Sequence, residues 1–210
     1  MPAPPRGNPV LIPGPMAQSE ALRALSDIRS VIDRSTRYST FSALSGFLTG
    51  VAALIGSGGC GYYADFVGAR AEDMGFVYVW AGVFAFASVQ HLLLTSLKAR
   101  RRGEVVWTPI ARTAFTALLG PGLAGLMLSI VFIKQLKYEN LAGLWLVLYG
   151  CGLWAVSFFA PTFLRWLGVA FMILGTTAWA TGETPGRWLG LGFGCLHLVF
   201  SAIVRARYRR

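Results

Sequence analysis

The sequence predicts an all-α fold: a polytopic transmembrane bundle of six helices, preceded by an amphipathic cytoplasmic helix at the N-terminus. Three observations carry that expectation. Only 13% of the residues are charged and 55% are hydrophobic, whereas a soluble domain has about 25% charged residues with which to cover its surface. Six stretches free of Asp, Glu, Lys and Arg each have the length to cross hydrocarbon, which takes ~20 apolar residues. The basic residues gather at alternate ends of those stretches, where they act as orientation signals. With 210 residues the chain holds one bundle rather than several domains.

Residues 1–16 are Pro-rich and read as a disordered lead, because Pro blocks helix formation. The run MPAPPRGNPVLIPGP has no charged region followed by an apolar core, so it does not read as a signal peptide. Met16 offers a second start, which would leave the first 15 residues outside the native chain. Residues 17–37 are amphipathic. Leu22, Leu25, Ile28, Val31 and Ile32 recur at helical spacing, with Arg23, Asp27, Arg29 and Asp33 between them. That pattern suits a helix on the anionic inner leaflet, a helix that docks a partner or a second copy, or a plain lead-in to the first span.

The transmembrane domain occupies 38–204. Its charge-free stretches are 38–64, 74–97, 113–133, 140–164, 166–182 and 188–204. Trimmed at Gly, Pro and polar clusters, they predict helices at 41–57, 75–97, 110–133, 141–159, 162–181 and 188–204. Residues 58–75 read as the longest outer loop. Pro121, between Gly120 and Gly122, is expected to kink the third helix, and Pro161 falls between the fourth and fifth. Tyr38, Tyr62, Tyr63, Trp107, Tyr138, Trp166, Trp179 and Trp188 lie near span ends and fit an interfacial belt.

Orientation follows from the basic residues. Both termini and the 2–3 and 4–5 loops share a side that holds fifteen of the 19; Arg70, Lys134, Lys137 and Arg187 lie on the other. Cytoplasmic loops carry that excess, so both termini are expected inside. Arg23, Arg29, Lys98, Arg100, Arg101, Arg102, Arg205 and Arg207 are the expected contacts to anionic lipid or a partner, at about 1 kcal/mol each near the surface. The tail, 205–210, belongs to this set. The net charge of +10 is thereby accounted for without nucleic acid.

Three stretches together resemble a known family: DRSTRYSTFSALSGFLTGVAALIG at 33–56, KARRRGEVVWTPIART at 98–113 and LGLGFGCLHLVFSAIV at 189–204. The family is one of small six-helix bacterial membrane proteins with no assigned activity. In it an amphipathic lead helix enters a Ser/Gly-rich first span, and a Gly-rich last span carries a histidine before a basic tail. The resemblance runs from about Leu22 onward and leaves out the Pro-rich start. It implies the topology and a bacterial inner membrane, and says nothing of chemistry.

No predicted span contains an ionised residue, whereas pumps and coupled transporters carry such residues as relays. The two three-helix halves show no inverted repeat, and no Ser-His-Asp, HExxH or paired-carboxylate pattern lies within a span. An enzyme is therefore not expected. His91 and His197 lie about 10–12 Å inside the same boundary at 1.5 Å per residue. Each sits on a stripe of small residues, which mark helix contact. They read as interhelical hydrogen-bonding groups, or alternatively as axial ligands of a haem b. No other cofactor and no metal is expected. Ser42, Gly46 and Gly50 in the first span, and Gly190, Gly194 and Ser201 in the last, read as packing positions. Gln90 reads as polar glue of the same kind. Cys60 reads as a lone external thiol, and Cys151 and Cys195 as ordinary buried residues.

The expected function is that of a non-enzymatic scaffold or accessory subunit, as a homo-oligomer or with a membrane-complex partner. A carrier or channel for a small uncharged or lipophilic solute is the alternative. A bis-histidine haem b redox protein is a further one.

Overall fold

The computed structural model describes Glu20, Arg23, Leu25 and Ser26, then residues 43–67, 69–103, 107–158, 160–182 and 184–208; at 61–73, 102, 110, 207 and 208 it describes the backbone alone. The chain divides into two units, Met1–Arg37 and Tyr38–Arg210. In the first, the four described residues are helical and exposed. The rest of the amphipathic segment, including Arg29, lies outside the described residues, as does Ser42 at the entrance to the second unit.

The second unit is all-helical, with no strand among the described residues. Its elements are α1 (Ala43–Val67), α2 (Ala69–Arg102), α3 (Pro109–Lys134), α4 (Glu139–Val156), α5 (Phe163–Thr181), α6 (Pro185–Leu189) and α7 (His197–Tyr208). A π-helical segment, Gly190–Leu196, joins α6 to α7, so the three form one continuous sixth span. Six of these helical units are long and apolar enough to cross a membrane.

Local chemistry explains most boundaries. Thr108 caps α3, its hydroxyl accepting from the Ala111 amide at 3.2 Å, and Pro109 takes the first helical position, where its missing N–H costs nothing. The helix then runs through Pro121 to Lys134. Gly182 ends α5 in the left-handed conformation at φ 63°. Leu136, after α3, adopts the same region at φ 57°, an arrangement that favours Gly or Asn.

One sequence expectation is corrected. Residues 58–75 are not an outer loop: α1 continues to Val67 and α2 begins at Ala69. Gly58 and Gly59 carry a local signal for a helix end. A Cβ at either position would meet nothing within 4 Å, and the intrinsic cost of Gly in a helix, about 1 kcal/mol, is outweighed where the backbone must satisfy its own hydrogen bonds.

Three pairs of consecutive helices pack antiparallel, α1 with α2, α3 with α4 and α4 with α5. Between α1 and α2, Ser45 faces Gln90 and Gly56 faces Val83. Between α3 and α4, Gly125 faces Trp145 and Gly152 faces Leu118. Between α4 and α5, Gly150 faces Gly168 and Gly143 faces Trp179. The sixth span returns alongside α1, with Gly190 beside Ser57 and Ser201 beside Gly46. This register puts Lys98, Arg100, Arg101, Arg112, Arg165 and Arg205 at one end of the bundle, and Lys134 and Arg187 at the other. Leu146 and Phe171, both fully buried, centre the core. α2 and α3 flank it and remain largely exposed, with Phe84, Leu92, Met127 and Ile130 facing outward.

Candidate functional site

Two sets of polar side chains join helices, one around buried Gln90 with exposed His91 and one around buried His197. The first lies in the seam between α1 and α2. Gln90 is buried there, and its amide nitrogen donates toward Thr49 Oγ1 (2.9 Å), Ser45 Oγ (3.1 Å) and the Ser45 carbonyl (3.3 Å). The Ala87 carbonyl, one turn back on α2, is also within reach at 3.1 Å. His91 Nδ1 shares a hydrogen bond with Ser45 Oγ at 3.0 Å. A span with no charge can still be fastened this way, since polar side chains in apolar surroundings seek each other. Gln90 Oε1 and Thr95 Oγ1 are buried without a hydrogen-bond partner.

The second set lies between α4, α5 and the sixth span. Tyr149 Oη and His197 Nε2 share a hydrogen bond of 3.0 Å. Four rings close around it: Tyr149–Phe171 at 4.9 Å, Tyr149–Phe193 at 5.0 Å, Phe171–Phe193 at 5.3 Å and a stacked Phe193–His197 pair at 5.9 Å between centroids. Such spacings are those of favourable edge and offset contacts. His197 is buried, and its Nδ1 has no partner of full hydrogen-bond geometry, though the Gly192 and Phe193 carbonyls of the π segment approach the ring. Phe193 and His197, four residues apart and so on one face of the helix, stack on each other and both contact Tyr149.

The glycines of the sixth span make this placement sterically possible. A Cβ at Gly192 would collide with Leu146. One at Gly194 would lie 2.6 Å from Leu54 Cδ2, and one at Gly190 would lie 2.5 Å from Ser57 Oγ. On α1, a Cβ at Gly50 would sit 2.8 Å from Leu198 Cγ and 3.0 Å from the Gly194 carbonyl, and one at Gly46 would touch Phe200 at 3.3 Å. Ser201 Oγ donates to the Ala43 carbonyl. Thus Gly46, Gly50, Gly190, Gly194 and Ser201 lie on one contact surface between α1 and the sixth span.

The two histidines contact the same stretch of α1, His91 through Ser45 and His197 through its carbonyl beside Gly46. They are not joined to each other. The imidazole of His91 is bonded to α1 and that of His197 to α4. Tyr149 is the residue that sequence reading missed; a tyrosine at the centre of a span, far from either interface, signals a buried hydroxyl in need of a partner.

Arg100, Arg101 and Arg205 are exposed, Lys98 is half-buried, and Arg102 and Arg207 lie in the terminal turns of α2 and α7. Arg23 is exposed in the first unit. The cysteines depart from expectation: Cys151 and Cys195 face outward, and Cys60 is half-buried beside Gly186. Cys151 faces out because its neighbours Gly150 and Gly152 take the two helix contacts, with α5 and α3. Its thiol lies 3.7 Å from Met172 Sδ.

No family model, curated protein or solved structure matches the chain.

Proposed function

We propose that the chain is a non-enzymatic scaffold or accessory subunit of a bacterial inner membrane, crossing it six times with both termini in the cytoplasm. One observation carries the reading. Buried Gln90 and His197 and exposed His91 each join two helices, through Ser45, Thr49 and Tyr149, and the rings around Tyr149–His197 are in mutual contact. Interhelical bonds of this kind fix a bundle's geometry. The gathering of Lys98, Arg100, Arg101, Arg112, Arg165 and Arg205 at one end supports an inside placement of that end. The outward apolar faces of α2 and α3 offer the partner surface, against lipid-embedded helices.

The test is purification in mild detergent after cross-linking in intact membranes. The reading expects a membrane protein, or a second copy, linked to α2 or α3 at fixed stoichiometry. A chain that stays monomeric and uncross-linked at every position along both helices would contradict it. A reporter fused after Arg210 checks orientation, and activity only on the outer side would overturn the inside placement of the termini.

A further inference from the structure

The turn from α4 to α5 carries an arginine held in an unusual setting. The Arg165 guanidinium lies over the Trp154 ring at 5.5 Å and over the Phe158 ring at 5.3 Å, and its Nε reaches Ser157 Oγ at 3.5 Å. Cation–π contact with two rings fixes the plane of the group while leaving its terminal nitrogens to other partners. No carboxylate occurs from 140 to 182, and Glu139 of this hairpin sits at its opposite end. Phe158 and Trp166 beside the arginine are 65% and 73% exposed. Exposed aromatic rings of this sort settle at headgroup level in a bilayer.

We propose that Arg165, clamped by Trp154 and Phe158, binds the phosphodiester of an anionic lipid headgroup, while Phe158 and Trp166 rest against its glycerol and upper acyl region. The site rests on the reading that the chain spans a membrane. It differs from the basic runs at Lys98–Arg102 and Arg205–Arg210 in that a single preoriented guanidinium, suited to bidentate phosphate contact, replaces a diffuse cluster. The lipid is favoured over free phosphate because the charge is set among outward-facing apolar rings, which a soluble anion would not cover.

The experiment is native mass spectrometry of the full chain released from bilayers of equal phosphatidylglycerol and phosphatidylcholine. Wild type is expected to retain phosphatidylglycerol about fivefold over phosphatidylcholine at its tightest site. Arg165→Gln is expected to cut that preference to the level the basic runs alone provide, and Arg165→Lys, which keeps charge and loses the planar stack, to fall between the two. Arg112→Gln, an exposed arginine at the same end, is expected to leave it intact. Wild-type retention in Arg165→Gln overturns the proposal, as does an equal loss in Arg112→Gln. Release of the lipid by inorganic phosphate at matched ionic strength would also overturn it, making the site one for a soluble anion. None of these outcomes touches the spanning topology, which the reporter fusion checks separately.

Discussion

Tyr149 and His197, 48 residues apart in sequence, share a 3.0 Å hydrogen bond that ties the middle of α4 to the sixth span. Removing one partner leaves the other buried and unpaired, which costs more than the bond itself is worth. Tyr149→Phe is therefore expected to lower stability by roughly 1–2 kcal/mol, read as an earlier midpoint in detergent-to-SDS unfolding. Adding His197→Phe to it should cost less than the sum of the two single changes. Full additivity would mean that the bond does not form.

The glycines separate into two groups with opposite expected outcomes. At Gly150 a Cβ would lie 2.6 Å from the Gly168 carbonyl, a backbone atom that cannot swing aside. Gly150→Val is expected to part α4 from α5 and cost several kcal/mol, on the scale of about 2–5 for severe core disruption. At Gly58 and Gly59 nothing stands within 4 Å, so Gly59→Ala should stabilise α1 by about 0.5–1 kcal/mol. Thermal aggregation midpoints of the three proteins give the order Gly59→Ala, wild type, Gly150→Val; any other order contradicts the helix packing.

Leu136 sits exposed in the left-handed region after α3, with φ 57°. The strain there is about 1 kcal/mol for a side chain bearing Cβ. Leu136→Gly is expected to raise the unfolding midpoint slightly, and Leu136→Val to lower it. A fall for Gly equal to that for Val would show that the leucine side chain, and not its backbone, sets the stability of the turn.

Much of the fold is legible in the sequence, because hydrocarbon is a demanding solvent. Runs without charge had to be helices, and α3 and α5 lie close to where charge and Gly/Pro signals put them. The end of α1 and the start of α2, around 58–75, are less legible. Gly58, Gly59, Asp65 and Glu72 carry loop signals, yet the backbone stays helical there, where the demand for internal backbone hydrogen bonds outweighs local propensity. Pairing is not legible at all. The spacing of Gly46 and Gly50 marks a contact surface without naming its partner, and only the structure sets it against Leu198 and Ser201. The Tyr149–His197 bond follows directly on the π turn at Gly190–Leu196, whose extra residue no hydropathy pattern encodes.

The most direct test of the claim that His91 and His197 fasten helices is an absorption spectrum. The full chain is made with ample haem, purified in mild detergent and scanned from about 350 to 600 nm, the range that holds the haem bands, oxidised and then reduced. The account expects no Soret band and no α-band, with His91→Ala and His197→Ala differing from wild type in stability alone. A Soret band that shifts on reduction and disappears in either histidine variant would make the pair haem ligands and contradict the scaffold reading.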